Sequence, residues 1–421
     1  MSSSSTSTTL SYPQVAAALD LNFAADTYVL GQATYNGISN FIAAAGGSFS
    51  RSSTATYFDS TGTLQTAAAN TPRLNHDPAT GSAKGLLIEE SSTNLLLYSS
   101  NFAMTAWSVK TPITMTANAA MAPDGTMTAT ELSANGSGLS YMDQVTGSVA
   151  STTVTRSIFV MPGSATHIYM EFGDATNCGA YCTAGFDLLT QTASWNSPKT
   201  GEGTVSLQKL ANGWFRASAT YSHSAAGSAS AVFYVGAYGA GTGSVYVWGA
   251  QVEIKPFSTS YIPTGAATVT RSADVFSFPI GTWFNSNTGA FFTTSNGQLN
   301  SNQIGFGCVI GGDGGRCFSG FAANLNSMNS ATNSFALTLD GSVTASPSTA
   351  VNMAMTWNQS STTESLAMSS GQLFSGNYSG NWVTTNLYPG GSNLNPLNAS
   401  VSRITYYPAV LTNASLTTWA Q

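Results

Sequence analysis

Carboxylates and histidines, the side chains most used in acid–base catalysis, are few and scattered in this chain. Its 421 residues include 18 Asp and Glu residues and 3 histidines. The one adjacent acid pair is Glu89–Glu90, and neighbours on a strand point to opposite faces, so this pair could not flank one glycosidic bond. The chain contains no G-x-S-x-G, P-loop or H-E-x-x-H motif. The sequence therefore predicts a non-enzymatic protein without catalytic residues.

Two strand-like segments carry residues that suit sugar binding. In HIYMEF, alternation places His167, Tyr169 and Glu171 on one face of a strand. In GWFRASATY, Trp214 and Arg216 share a face. Aromatic rings beside hydrogen-bonding groups are typical of a sugar site, so these five residues are the glycan-binding candidates. The alternative is structural: Trp214 would cap a sandwich edge, and Glu171 would pair with Arg216.

Three arginines follow a different pattern and are predicted to be structural clamps. Arg51 and Arg73 lie in a segment without helical periodicity, and Arg271 lies in TRSAD. Planar guanidinium groups can bind loop carbonyls or carboxylates where no regular ladder exists, and Asp59 and Asp77 are the acids nearest in sequence. SRSSTATYF resembles TRSADVFSF, which we interpret as two linker-to-strand junctions, each anchored by an arginine, with a true sequence repeat as the alternative. Ligand binding by the first segment is the alternative.

The four cysteines are Cys178, Cys182, Cys308 and Cys317. None lies in a short-range cluster with a histidine, as a zinc site would require. The sequence favours free thiols or local disulfides and leaves these two open. No metal and no cofactor are predicted.

Charge is scarce along the whole chain. Charged residues make up 7% of it, against about 25% in ordinary globular proteins. The formal net charge is -6 and no basic run occurs, so nucleic acid is not an expected partner. The first residues, MSSSSTSTTLSYP, do not resemble a secretory signal, and the apolar runs are too short to cross a bilayer. We expect synthesis in a cytosol without membrane insertion.

Short apolar or alternating runs separated by Gly, Asn, Ser and Pro predict an all-β fold. Weak helical patterns occur in AAALD, near residue 18, and in NASLTTWAQ at the C-terminus. The expected architecture is two jelly-roll-like β-sandwich domains preceded by a β-rich N-terminal unit and a flexible Ser/Thr arm. The expected ranges are 1–19 for the arm, which would dock, 20–90 for the N-terminal unit, 91–265 for the first sandwich and 272–421 for the second.

Several motifs, in order, resemble those of a known family. SRSSTATYFDSTGTLQTAAANTPRLNHDPATG and GLLIEESSTNLLLYSSNF resemble a module of tailed-bacteriophage structural proteins of the head-spike, head-fibre or tail-fibre type. APDGTMTATEL, TRSIFVMPG, ANGWFRASATY and VYVWGAQVEIKPFSTSYIPTG are similar to its carbohydrate-binding-like sandwich. WFNSNTGAFFTTS, FALTLDGS and SRITYYPAVLTNASLTTWA resemble a concanavalin-like, laminin-G-type domain.

This resemblance, over about residues 20–421, implies a virion surface protein such as a head fibre, spike or capsid decoration, assembled in the bacterial cytoplasm. Its partners would be other virion proteins, contacted through the N-terminal arm, and host surface polysaccharide. A homo-oligomer is expected, for which a trimer is a typical form. The alternative function is a tail fibre or receptor-binding adhesin, and a polysaccharide depolymerase is less favoured. The family offers no catalytic residues to carry over.

Overall fold

The computed structural model describes most of the chain, and all structural statements below concern these residues. They are 16–109, 113–149, 151–174, 176–178, 180–196, 201–224, 227–236, 238, 241–297, 308–310, 350–368, 373–377, 386–391 and 397–420. Most of the predicted arm, 1–19, and Cys317 lie outside them, as does the side chain of Cys308.

The first strands in chain order are β1 (Leu19–Asn22), β2 (Thr27–Leu30), β3 (Ala33–Asn36), β4 (Ser48–Ser50), β5 (Ala55–Phe58), β6 (Leu64–Ala67), β7 (Leu74–His76), β8 (Ala83–Ile88), β9 (Ser92–Asn94), β10 (Ser108–Val109), β11 (Ile113–Ala120), β12 (Ala129–Asn135), β13 (Tyr141–Ser148), β14 (Thr153–Pro162) and β15 (His167–Asp174).

The remaining strands are β16 (Ala180–Asp187), β17 (Thr192–Trp195), β18 (Glu202–Lys209), β19 (Phe215–Ser222), β20 (Gly227–Val235), β21 (Thr242–Glu253), β22 (Val269–Arg271), β23 (Val275–Pro279), β24 (Thr288–Gly297), β25 (Cys308–Ile310), β26 (Ala350–Asn358), β27 (Thr363–Met368), β28 (Leu373–Asn377), β29 (Asn386–Pro389) and β30 (Ala399–Tyr407). The helices are α1 (Ile38–Ala44), α2 (Asn413–Ala420) and a 3-10 turn at Ala211–Gly213.

The protein is all-β, as the sequence predicted, and its first sandwich consists of two six-stranded antiparallel sheets. One sheet has the order β10-β13-β20-β15-β16-β17 and the other β11-β12-β21-β14-β19-β18. Alternating side chains of both sheets, among them Ile158, Ile168 and Phe233, form one buried core between them. Cys178 and Cys182 form a disulfide at one end of this sandwich, so the local disulfide is the alternative that the structure contains.

The second sandwich combines strands from both ends of the chain. Its ten-stranded sheet contains β1, β2, β3, β7 and β8 together with β24, β26, β27, β28 and β30, and its four-stranded sheet has the order β25-β29-β23-β4. β30 pairs with β1 and with β8, while β23 pairs with β4. The expected ranges 20–90 and 272–421 therefore share both sheets, because edge strands of the C-terminal part take their ladder partners from the N-terminal part.

Two local predictions near the N-terminus have different outcomes. TATYFDSTGTLQTA forms the predicted hairpin, in which β5 pairs with β6 and the Asp59 carboxylate accepts the backbone N–H of Thr61. The helix predicted near residue 18 is wrong, because this segment leads into strand β1. Leu19 and Leu21 are fully buried on one side of β1, a strand periodicity that burial enforces. The helical pattern at the C-terminus is confirmed as α2.

No helix in the described ranges is long and apolar enough to cross a membrane.

A buried ion network joins the segments between the two sandwiches. The Asp274 carboxylate binds Arg51 Nη1 at 2.9 Å and also pairs with Arg73 Nη2. Arg73 Nη1 lies 2.8 Å from Glu89 Oε2, and Arg271 Nε lies 3.6 Å from the same oxygen. The three predicted clamps thus meet on two carboxylates, and each arginine is at most 1% exposed.

Arg51 and Arg73 also donate to backbone carbonyls. Arg51 donates to the carbonyls of Ser53 and Ala68, and Arg73 donates to that of Thr56. The carboxylate partners differ from those that the sequence suggested. Asp59 and Asp77 instead bind residues of their own turns, because an aspartate side chain reaches the N–H groups two or three residues ahead more easily than a distant arginine.

We expect Arg73→Ala to lower the free energy of unfolding by about 3–5 kcal/mol, because it leaves two buried carboxylates short of a partner. Lys84→Ala is the control: its ammonium lies 3.4 Å from Asp77 at a partly exposed position, and its loss should cost about 1 kcal/mol or less. Denaturant or thermal unfolding measures both. Equal melting temperatures for Arg73→Ala and the unmutated protein would contradict the structural role.

The network also predicts acid sensitivity. Burial alone would raise the pKa of Glu89, but Arg271, Arg73 and hydrogen bonds from Ser260 outweigh it and lower the pKa from its ordinary value of 4.5 to about 2. A carboxyl whose pKa is lower in the folded state stabilises the fold above its unfolded pKa, and this contribution is lost as the pH falls. We therefore expect stability to decline between about pH 4.5 and 2.

Glu89→Gln tests this assignment. The variant should be less stable at neutral pH, and its stability should change less between pH 4.5 and 2 than that of the unmutated protein. Unfolding curves measured at several pH values give both quantities. An unchanged dependence on pH in this window would show that Glu89 does not carry the effect.

Candidate functional site

The candidate site lies on the outward face of the β10–β17 sheet of the first sandwich. In β15, Ile168, Met170 and Phe172 enter the core. His167, Tyr169 and Glu171 alternate with them and therefore lie on the opposite, outward face, as the sequence predicted.

Neighbouring strands add tyrosines in register with this face. Tyr169 of β15 is opposite Tyr234 of β20, and Tyr234 is in turn opposite Tyr141 of β13. The Tyr141 and Tyr234 ring centroids are 5.0 Å apart. Tyr238, in the segment after β20, lies 4.8 Å from Tyr234 and 6.0 Å from Tyr169. We call Tyr141, Tyr169, Tyr234 and Tyr238 with Glu171 the tyrosine face.

Glu171 fixes the orientation of two of these rings. Its Oε2 atom accepts hydrogen bonds from Tyr234 Oη at 2.8 Å and from Tyr238 Oη at 2.9 Å. Tyr234 is 4% exposed and Tyr238 is 45% exposed, so the pair extends from the sheet surface into solvent. Both hydrogen bonds go to Oε2, and a carboxylate has further acceptor positions for a ligand hydroxyl.

Both phenols remain protonated donors at neutral pH. Burial, followed by the hydrogen bond to the Glu171 carboxylate, raises the pKa of Tyr238 to about 12. The same causes raise the pKa of Tyr234 well above its ordinary value. The face therefore presents neutral rings and hydroxyl groups, together with one carboxylate, rather than a nucleophilic phenolate.

A glycine allows one ring to lie across the sheet. Gly185 of β16 is opposite Tyr169, and a Cβ atom at this position would lie 2.8 Å from Tyr169 Cε1. The missing side chain therefore gives the Tyr169 ring room beside β16. Beyond it, His167 Nε2 lies 3.4 Å from Asp187 Oδ2, and Asn196 Nδ2 donates to Thr183 Oγ1 at 2.7 Å. These groups provide polar partners along the edge of the tyrosine face.

Trp214 and Arg216 do not join this face, so the five glycan-binding candidates lie on two different sheets. Trp214 directly precedes β19 and Arg216 belongs to it, and β19 is part of the other sheet of the sandwich. Trp214 is 2% exposed, and its Nε1 donates to the Met121 carbonyl. Alternation along a strand fixes the face of a residue but does not determine which sheet the strand joins.

Of the structural alternative, the Glu171–Arg216 pair is not formed, whereas Trp214 is buried in an apolar cluster. Glu171 binds Tyr234 and Tyr238, while Arg216 Nη2 donates to Ser157 Oγ at 3.0 Å. Trp214 packs in a third apolar cluster, between its own sheet and the hairpin that contains Phe58. Tyr141, Tyr234 and Tyr238 were not among the predicted site residues, although the alternation in AVFYVGAY is a signal that could have identified Tyr234.

No metal site accompanies the face. The described ranges contain no group of three or more His, Cys, Asp or Glu side chains that could hold a metal ion.

Comparisons with known proteins give a limited result. No family profile matches the chain, and no curated protein sequence matches it. Among solved structures, the CBM40 of the Ruminococcus gnavus IT-sialidase, bound to alpha2,3 sialyllactose, has 18% identity and a TM-score of 0.27, covering 32% of this chain and 84% of its own.

Two further structures cover more of the chain. The CBM22-1–CBM22-2 tandem of Paenibacillus barcinonensis Xyn10C has 10% identity and a TM-score of 0.26, covering 78% of this chain and 94% of its own. Domains LG4-5 of the mouse laminin alpha1 chain have 10% identity and a TM-score of 0.23, covering 78% of this chain and 90% of their own. Because all three TM-scores are low, we infer the function from the residues of this chain alone.

Proposed function

We propose that this chain is a non-enzymatic, glycan-binding structural protein of a virion surface, and that the tyrosine face is its glycan-binding site. The observation that carries the glycan-binding part is the cluster of tyrosines held in register around Glu171. The virion part is supported by the ordered motifs over about residues 20–421, which resemble head-fibre, spike and tail-fibre proteins.

The chemistry of the tyrosine face suits a sugar. A pyranose ring has apolar C–H surfaces that pack on an aromatic ring and hydroxyl groups that need donors and acceptors. Tyr169 and Tyr238 offer ring surface, Glu171 offers a carboxylate acceptor, and the phenolic hydroxyls can both donate and accept. All four tyrosines belong to strands of one sheet or follow one, so the site requires little ordering when a ligand binds.

The placement of the protein on the virion is the second element of the proposal. A head fibre, spike or decoration is favoured, and a tail fibre or receptor-binding adhesin would use the same tyrosine face at a different position. The N-terminal arm, which lies mostly outside the described residues, is the docking segment that we propose for either placement.

We expect Tyr169→Ala to weaken glycan binding by about tenfold or more, since truncation of a central aromatic residue commonly costs over 1 kcal/mol of binding energy. An array of bacterial capsular and lipopolysaccharide glycans identifies a ligand, and titration of that ligand compares the variants. Gly185 and Glu171 are unchanged in this variant, so the sheet should remain intact.

Trp214→Phe is the matched control, because it alters a predicted sugar-binding residue that the structure buries elsewhere. Its glycan affinity should equal that of the unmutated protein. The absence of any glycan ligand on the array, or equal binding by Tyr169→Ala and the unmutated protein, would overturn the assignment of the tyrosine face.

Antibody labelling of purified particles, with copy number by mass, tests the virion placement. We expect many copies over the head. A few copies at the tail tip would replace the head assignment with the adhesin, and absence from purified particles would contradict a virion role altogether.

A further inference from the structure

A second concave site lies away from the tyrosine face, where the two sandwiches and the N-terminal segment meet. It is a cavity of about 550 Å³, within the range of about 300–1,000 Å³ that small-molecule sites occupy. Arg216 and Ser218 of β19 line one wall, Phe58 and His76 of the N-terminal segment line another, and Ser400 of β30 lies on a third. The site is thus built from segments distant in sequence.

Arg216 is one of the charged groups that line this cavity, and it is 8% exposed. The others are Asp77, Lys84, Glu89 and Lys209. Glu89 is bound by Arg73, and Lys84 lies beside Asp77. In the described part of the chain its guanidinium makes one hydrogen bond, from Nη2 to Ser157 Oγ, and its Nε has no partner. Its Cζ lies 5.3 Å from the Phe159 ring centroid, a contact that holds the group but does not neutralise it. A guanidinium has five N–H donors, so most of its hydrogen-bonding capacity is unused.

The buried charges around the cavity do not balance. Four buried arginines lie in this region: the three of the ion network and Arg216. Three buried carboxylates face them: Asp274 and Glu89 of the network, and Glu253, whose charge acts on Arg216. Asp274 and Glu89 already bind the three network arginines. Glu253 accepts hydrogen bonds from Ser92 and Thr259 instead of an arginine. One positive charge is therefore left without a directly bonded anion.

Burial lowers the pKa of Arg216, and Glu253 and Glu89 act in the opposite direction. An arginine nevertheless stays protonated in proteins, so the guanidinium cannot relieve its burial by losing a proton. A ligand anion that enters the cavity would supply the missing charge and the missing hydrogen-bond acceptors together.

The remaining lining residues indicate the chemistry of the uncharged part of such a ligand. Phe58, Leu64 and Phe257 offer apolar surface, while Ser206 and Ser258 offer hydroxyl groups. This mixture suits a ring with apolar faces and several hydroxyls. A carboxylate is planar, carries one negative charge and fits the guanidinium fork, whereas a phosphate would bring close to two charges.

We propose that this cavity is a second binding site, and that it takes a carboxylate-bearing sugar of the uronic acid class, with Arg216 binding the carboxylate. This site is separate from the tyrosine face and does not depend on its assignment.

Calorimetric titration of the full chain with glucuronate and galacturonate tests the proposal, with glucose, acetate and inorganic phosphate as comparison ligands. We expect saturable binding of one uronate. Arg216→Gln should weaken it by about thirtyfold or more, because a buried charge pair loses one partner. Tyr169→Ala should leave it unchanged.

Ser258→Phe provides a second variant in which the guanidinium and its contacts are retained. It should narrow the cavity and weaken uronate binding by about tenfold or more through steric exclusion. Circular dichroism and the melting temperature show whether each variant is folded. If Arg216→Gln does not fold, Ser258→Phe alone decides whether the cavity is the uronate site.

Four outcomes would overturn the proposal: no uronate binding, equal uronate binding by the folded variants and the unmutated protein, equal affinity for glucose, or tighter binding of phosphate or acetate than of the uronates. Uronate binding abolished by Tyr169→Ala but not by Arg216→Gln would move the ligand to the tyrosine face. That result would support the proposed function while contradicting the second site.

Discussion

The contact of three buried arginines with Asp274 and Glu89 is the constraint on which the arrangement of this protein depends. Arg51 and Asp274 are 223 residues apart, and their ion pair lies at the end of the short ladder in which β4 pairs with β23. Burying such charges is costly unless each finds partners. Separating these loops would leave buried charges without partners, so the network favours the arrangement in which β4 pairs with β23 and Ser52 Oγ lies 2.7 Å from Ser272 Oγ.

Much of the fold could be predicted because its signals are local. Alternation along HIYMEF gave the outward face of β15, and turn residues in FDSTGT gave the β5–β6 hairpin. Strand partners carry no comparable local signal. Residues 20–90 were expected to form a separate unit, yet β1 and β8 pair with β30 near the end of the chain. Such pairings depend on which edges are left open by the rest of the fold.

The site residues that could be predicted are likewise those whose signal is local. His167, Tyr169 and Glu171 lie on one strand, so their common face followed from a period of two residues. Trp214 and Arg216 have the same local pattern but belong to the other sheet. The rings that complete the tyrosine face come from β13 and β20, whose register with β15 was not available from the sequence. Arg73 was predicted to be a clamp, but Glu89 and Asp274 were not predicted as its partners.

The tyrosine face and the cavity lined by Arg216 differ in their electrostatics. The tyrosine face holds neutral phenols around one carboxylate, so ring contacts and neutral hydrogen bonds would dominate recognition there, and salt screens these little. The cavity lined by Arg216 instead contains a guanidinium that is largely shielded from water. An ion pair is much stronger in such surroundings than at an exposed surface. A chain with 7% charged residues places several of them at this junction. The same buried arginines that hold the sandwiches together therefore also set the electrostatic environment in which Arg216 meets a ligand.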